Sequence, residues 1–100
     1  MSAQAERKVG ERQATQSAFT YFQNIFPRND PLRQVSDPRL EEIEMSKDRR
    51  FWLVTLGFSE PRPNSEMLPK FLQVPMRKLK TFKVDAATGQ VLSMKIPKEE

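Results

Sequence analysis

The run Phe51-Trp52-Leu53-Val54-Thr55-Leu56-Gly57-Phe58 constrains this chain more than any other segment. β-Branched and aromatic residues suit a pleated, buried surface. Successive strand side chains point to opposite faces, so Trp52, Val54, Leu56 and Phe58 share one face while Phe51, Leu53 and Thr55 share the other. A strand apolar on both faces reads as central in a sheet, so the fold has to provide it with neighbours.

The rest of the chain offers candidates. Residues 40–46 alternate cleanly only from Glu42 onward. Leu40 is out of phase with Ile43 and Met45, which predicts a β-bulge or a late strand start. Lys47-Asp48-Arg49 is a tight polar turn into a strand over 50–58. Residues 77–85 and 90–96 are two further strand-like runs, separated by Asp85-Ala86-Ala87-Thr88-Gly89. Asp bonds its own turn backbone and Gly accepts positive φ, so this segment predicts a hairpin end. On strict alternation Leu92, Met94 and Ile96 share a face, and Pro97 ends the strand.

Ahead of these runs, Ala14, Ala18, Phe22 and Ile25 recur at helical spacing, which predicts an amphipathic helix over 11–26. Pro27 stops it and Asn29-Asp30-Pro31 turns the chain. The expected fold class is α+β: an N-terminal helix packed on an antiparallel sheet of about four strands, cystatin/PepSY-like in outline. One hundred residues suit one domain. The expected organisation is a flexible N-terminus over 1–10 and a single α+β domain over 11–97, with a Pro-rich loop over 59–76. The expected core includes Ala18, Phe22, Ile25, Ile43, Trp52, Val54, Leu56, Val84 and Leu92.

Trp52-x-Val54, together with Phe82-Lys83-Val84-Asp85-Ala86-Ala87-Thr88-Gly89-Gln90-Val91-Leu92, resembles the PepSY-type pattern of a tryptophan-bearing strand and a V-D-x-x-T-G-x-V hairpin. The resemblance spans roughly residues 39–96. It implies a helix on a small antiparallel sheet and a role in binding or inhibiting partner proteins, peptidases among them. It brings no catalytic residues. PepSY-type domains are usually exported or membrane-attached; this chain departs from that, and also in its Pro-rich segment.

Composition narrows the chemistry. There is no cysteine and no histidine, which removes disulfides, thiolate nucleophiles, imidazole bases and Cys- or His-based metal sites. Carboxylates alone could serve as acid, base or hard-cation ligands. No cofactor is expected, and the chain reads as a non-enzyme. No apolar run approaches the roughly 20 residues of a membrane span. Residues 1–16 are polar and lack the apolar stretch of a signal peptide, so the expected location is cytoplasmic.

Four groups are candidate sites. Residues 59–76 carry Pro61, Pro63, Pro69 and Pro75, and prolines at this density resist helix and central strand alike. Within them Arg62, Met67, Leu68, Phe71 and Leu72 form a candidate protein-binding element, with Val74 beside them. The same segment could arm a second subunit of a homodimer, or it could fold back as a cover over the sheet. The second group is basic: Lys70 to Lys98 holds seven cations against Asp85 alone, in a chain of net charge +4. Arg77, Lys78, Lys80 and Lys83 around Phe82 are the alternative, nucleic-acid-binding reading; a solvated lysine face that protects a sheet edge is the other. The third is acidic (Asp37, Glu41, Glu42, Glu44, Asp48): a cation or acid–base site, or carboxylates that oppose lysines on a neighbouring strand. The fourth comprises Phe19, Tyr21, Phe22, Phe26, Phe51, Trp52 and Phe58, as core or as the wall of a ligand pocket.

Overall fold

A computed structural model of the chain describes residues 9–27 and 34–97. The expected turn at Asn29-Asp30-Pro31, the first eight residues of the N-terminus expected to be flexible over 1–10, and the tail Lys98-Glu99-Glu100 lie outside them. One helix, α1 (Glu11–Ile25), packs on a four-stranded sheet of β1 (Ser36–Met45), β2 (Phe51–Glu60), β3 (Met76–Asp85) and β4 (Val91–Lys95). The strands follow one another in sequence order and every pair is antiparallel. This is the expected α+β arrangement.

β2 is central, as its two apolar faces predict. It pairs with β3 from Phe51↔Asp85 to Glu60↔Met76 without a slip, and with β1 along its other edge. The α1 side carries Val54, Leu56 and Phe58 from β2, with Phe82 and Val84 from β3, all fully buried. Ala14, Ala18 and Phe22 form the matching stripe on α1. Two small residues let the helix sit close, and Phe22 then meets Phe58 and Phe26 with ring centroids 5.0 Å away in each case. Tilted contacts of this kind suit the aromatic quadrupole.

Two core expectations fail, each for a local reason. Ile25 is exposed because the buried stripe on α1 continues through Phe26, not Ile25. Leu92 is exposed because β4 bulges: Lys83 faces Ser93 while Val84 faces Val91, which leaves Leu92 as the extra residue. Val91 and Met94 pack on the core in its place. A bulge also resolves the phase of β1. Leu40 faces Leu56 and Glu42 faces Thr55, so Glu41 is extra and Leu40 joins the face of Ile43. β1 begins earlier than expected, at Ser36, with a second irregularity at Asp37 (φ +54°) and Pro38. An edge strand tolerates a residue without an N–H.

The domain also starts before Glu11. Val9 is buried, its N–H donates to the Ala86 carbonyl at 2.6 Å, and its own carbonyl accepts the Trp52 indole N–H at 2.7 Å. Trp52 thereby ties the start of α1 to the sheet. The Asp85–Gly89 turn closes as its residue types predict. The Asp85 carboxylate accepts the N–H groups of Ala87 (2.7 Å) and Thr88 (3.1 Å), and Gly89 takes φ +82°.

Trp52→Phe keeps the ring packing and removes the indole donor. It should cost about 1 kcal/mol and speed hydrogen exchange in the first turn of α1, read by denaturant titration and amide exchange. Phe22→Ala, which empties the centre of the aromatic cluster, should cost about 3–5 kcal/mol.

Candidate binding site at the hairpin apex

Because β2 and β3 stay in register to Glu60↔Met76, the chain between them leaves from the end of the hairpin. The irregular part is shorter than the expected 59–76, since Ser59, Glu60 and Met76 belong to the strands. It contains two single-turn 3-10 segments, Ser65–Met67 and Lys70–Leu72. Pro69, between them, has the φ of −56° that its ring imposes. Asn64 takes the left-handed conformation, φ +64°, which Asn accepts more readily than most residues.

The apex pairs part of its backbone from within. Arg62 Nε donates to the Val74 carbonyl at 3.0 Å and bridges the two legs of the loop. Gln73 Nε2 donates to the Leu68 carbonyl at 2.7 Å, and backbone bonds such as Leu68 N–H to Ser65 O and Leu72 N–H to Pro69 O close each turn. Arg62 is thus a loop-closing residue. Of this loop only Ser65 is buried. Met67 is 81% and Phe71 82% exposed, and Leu68, Leu72 and Val74 are about half exposed or more. The apolar group does not fold back as a cover over the sheet. A cleft of about 270 Å³ lies at the base of the loop between Val35, Glu60, Arg62, Ser65, Val74 and Pro75.

The basic residues divide between the two faces of the sheet. Cross-strand partners share a face. Lys78 opposes Phe58 and Lys80 opposes Leu56, so both lie on the α1 side; Arg77 and Lys83 lie on the open side. Phe82 between them is fully buried and presents no ring for base stacking. Lys83 Nζ sits 4.2 Å from the centre of the Phe51 ring, and Lys78 lies 3.7 Å from Glu60. Arg77 is a clamp. It reaches over Gly57 to Glu41 (3.1 Å) and donates to the Asp37 carbonyl and to Ser59 Oγ, each at 3.0 Å. Gly57 leaves the room, since a Cβ there would collide with the Glu41 carboxylate and approach Arg77 Nη2 to 2.9 Å.

The acidic residues take separate tasks. Glu42 and Glu44 face Thr55 and Leu53, not lysines, because β1 neighbours β2 and the lysine-bearing strands are farther away. The expected cross-strand pairing is replaced by the bulged Glu41, which alone of the three glutamates meets a cation among the described residues. Asp37 binds Arg39 at 2.7 Å, and that hydrogen bond holds its carboxyl below the ordinary value. Asp48 organises the β1–β2 turn. It accepts from Ser46 Oγ (2.6 Å) and from the Arg50 N–H (3.1 Å), and both bonds lower its pKa, the serine bond more. Among the described residues no group of three carboxylates is placed to hold a metal ion. The aromatic cluster also divides: Phe22, Phe26 and Phe58 are core, Phe19, Tyr21 and Trp52 pack against it half-buried, and Phe51 lies on the open face under Lys83 and Arg50.

The two missed features were the Arg77–Gly57–Glu41 clamp and the tie from Trp52 to Val9. Gly57 inside an otherwise bulky strand was the available signal for the first, since such a glycine marks close approach. Compared with known proteins, the chain matches no family model, no curated protein and no solved structure. Among the described residues no helix is long and apolar enough to cross a membrane.

The Asp48 carboxyl should titrate below its ordinary 3.8, and Ser46→Ala should move it back up, as followed by carboxyl NMR. Its folded value lies below its unfolded one, so its contribution is full above about pH 4 and is lost as the pH falls through the folded value. Arg77→Lys cannot span Gly57 with a planar fork. It should cost about 1 kcal/mol in a denaturant titration, while Lys83→Ala, which removes a single half-buried cation–π contact, should cost less.

Proposed function

We propose that this chain is a small, non-enzymatic protein-binding module that docks a partner through the β2–β3 apex, with regulation or inhibition of that partner as its effect and the cytoplasm as its expected compartment. The observation that carries this reading is the exposure of Met67 and Phe71 on a loop braced by its own turns and by the Arg62 and Gln73 side chains. A loop that only covered the sheet would turn these side chains inward. A loop that only connected two strands would not need apolar residues in water. Large exposed apolar patches mark interaction sites in soluble proteins, and aromatic and Met side chains are enriched in interface cores. Arg62 serves by holding the loop closed, while Met67, Leu68, Phe71 and Leu72 make the contact. The PepSY-like hairpin points the same way, since that resemblance implies partner binding without catalytic residues.

The alternative reading, a nucleic-acid-binding accessory protein using Arg77, Lys78, Lys80 and Lys83, has less geometric support. Its four cations lie on two faces, and two of them are engaged with carboxylates.

Photo-crosslinking tests the docking surface directly. Phe71→p-benzoylphenylalanine should give a discrete protein adduct in cells, insensitive to nuclease, whereas the same residue at Thr20 on exposed α1 should not. Adding Met67→Ser should weaken the adduct several-fold. Adducts equally strong at both positions would overturn the apex as the docking site.

A further inference from the structure

The chemistry of the apex limits what can sit on it. Its exposed apolar side chains are Met67, Leu68, Phe71, Leu72 and Val74. Together they present on the order of 600 Å² of surface, at the upper end of what a monomer commonly exposes in one patch. The charges among them are Glu66 and Lys70, of opposite sign and four residues apart. Among the described residues neither has an ion-pair partner. Arg62, the remaining charge of the loop, is bonded to the Val74 carbonyl. The apex is therefore apolar and carries a net charge of +1, Arg62 and Lys70 against Glu66, a small part of the +4 of the whole chain. A strongly anionic partner would be met better elsewhere on the molecule.

We infer that the occupant of this surface is a second copy of the same chain, docked apex to apex about a two-fold axis. The inference rests on the docking reading above and names its partner. Two observations carry it. Two apices together would remove up to about 1,200 Å² from water, the size at which specific protein interfaces begin. A two-fold axis makes each contact reciprocal, so Glu66 of one copy meets Lys70 of the other and the converse pair forms as well. One loop thus supplies both halves of two ion pairs. The apex side chains are not part of the core cluster, so a monomer can fold first and associate afterwards.

Sedimentation velocity on the full chain, from about 1 to 200 μM in 150 mM salt, reads this directly. The wild type should shift with concentration from the 11.7 kDa monomer to twice that mass. Met67→Ser with Phe71→Ser should remain monomeric with an unchanged circular dichroism spectrum. Glu66→Lys and Lys70→Glu should each weaken association at least tenfold, because each places like charges opposite one another at both contacts. The double exchange Glu66→Lys/Lys70→Glu should restore association, since the pair is then reversed rather than broken. Failure of the double exchange to restore it overturns the reciprocal register. A wild type that stays monomeric at 200 μM overturns self-docking. If the Phe71 crosslink then still gives an adduct with a different protein, the docking surface stands with another occupant. If no adduct forms either, both readings fall together.

Discussion

Ten consecutive residues of β2 pair with ten of β3 without a slip, and the rest of the molecule is arranged around that ladder. Continuous pairing to Glu60↔Met76 places the 61–75 loop at the end of the hairpin. It also sets the phase of every side chain on both strands. Val54, Leu56, Phe58, Phe82 and Val84 fall on one face, and α1 covers them. Thr55 and Thr81 fall on the other and share a hydrogen bond at 2.9 Å. A one-residue slip would exchange these faces.

The outer strands depart from ideal alternation where the ladder requires it. β1 inserts Glu41 and β4 inserts Leu92. In β1 the extra residue becomes useful, because the bulged Glu41 can reach Arg77 across Gly57 and so link β1 to β3 over the central strand. In β4 the extra residue is simply turned out to solvent. Bulges of this kind leave the core intact while they change which side chains face the water.

The apex follows a different logic from the body. In the body, most large apolar side chains are buried or half-buried and polar backbone groups are paired within the sheet. In the apex, the backbone is paired in part by Arg62, Gln73 and two short turns, and the apolar side chains are left outside. On the docking reading proposed above, a loop braced in this way loses less ordering entropy on association than a free one.

Much of the fold was legible in the residues. The central strand followed from two apolar faces, the Asp85–Gly89 turn from its side-chain chemistry, and α1 from the spacing of Ala14, Ala18 and Phe22. These are local patterns, and the sequence determines them because each depends on near neighbours in the chain. What only the tertiary structure decided was long-range. Leu92 and Ile25 are apolar and in plausible phase, yet a bulge and the last turn of a helix turn them out. Arg77, Lys78, Lys80 and Lys83 are close in sequence, yet the pleat sends them to opposite faces. Met67 and Phe71 looked equally able to cover the sheet or to face the water. Their outcome depended on where the β2–β3 ladder ends, a pairing between residues far apart in the chain, and no local pattern encodes that.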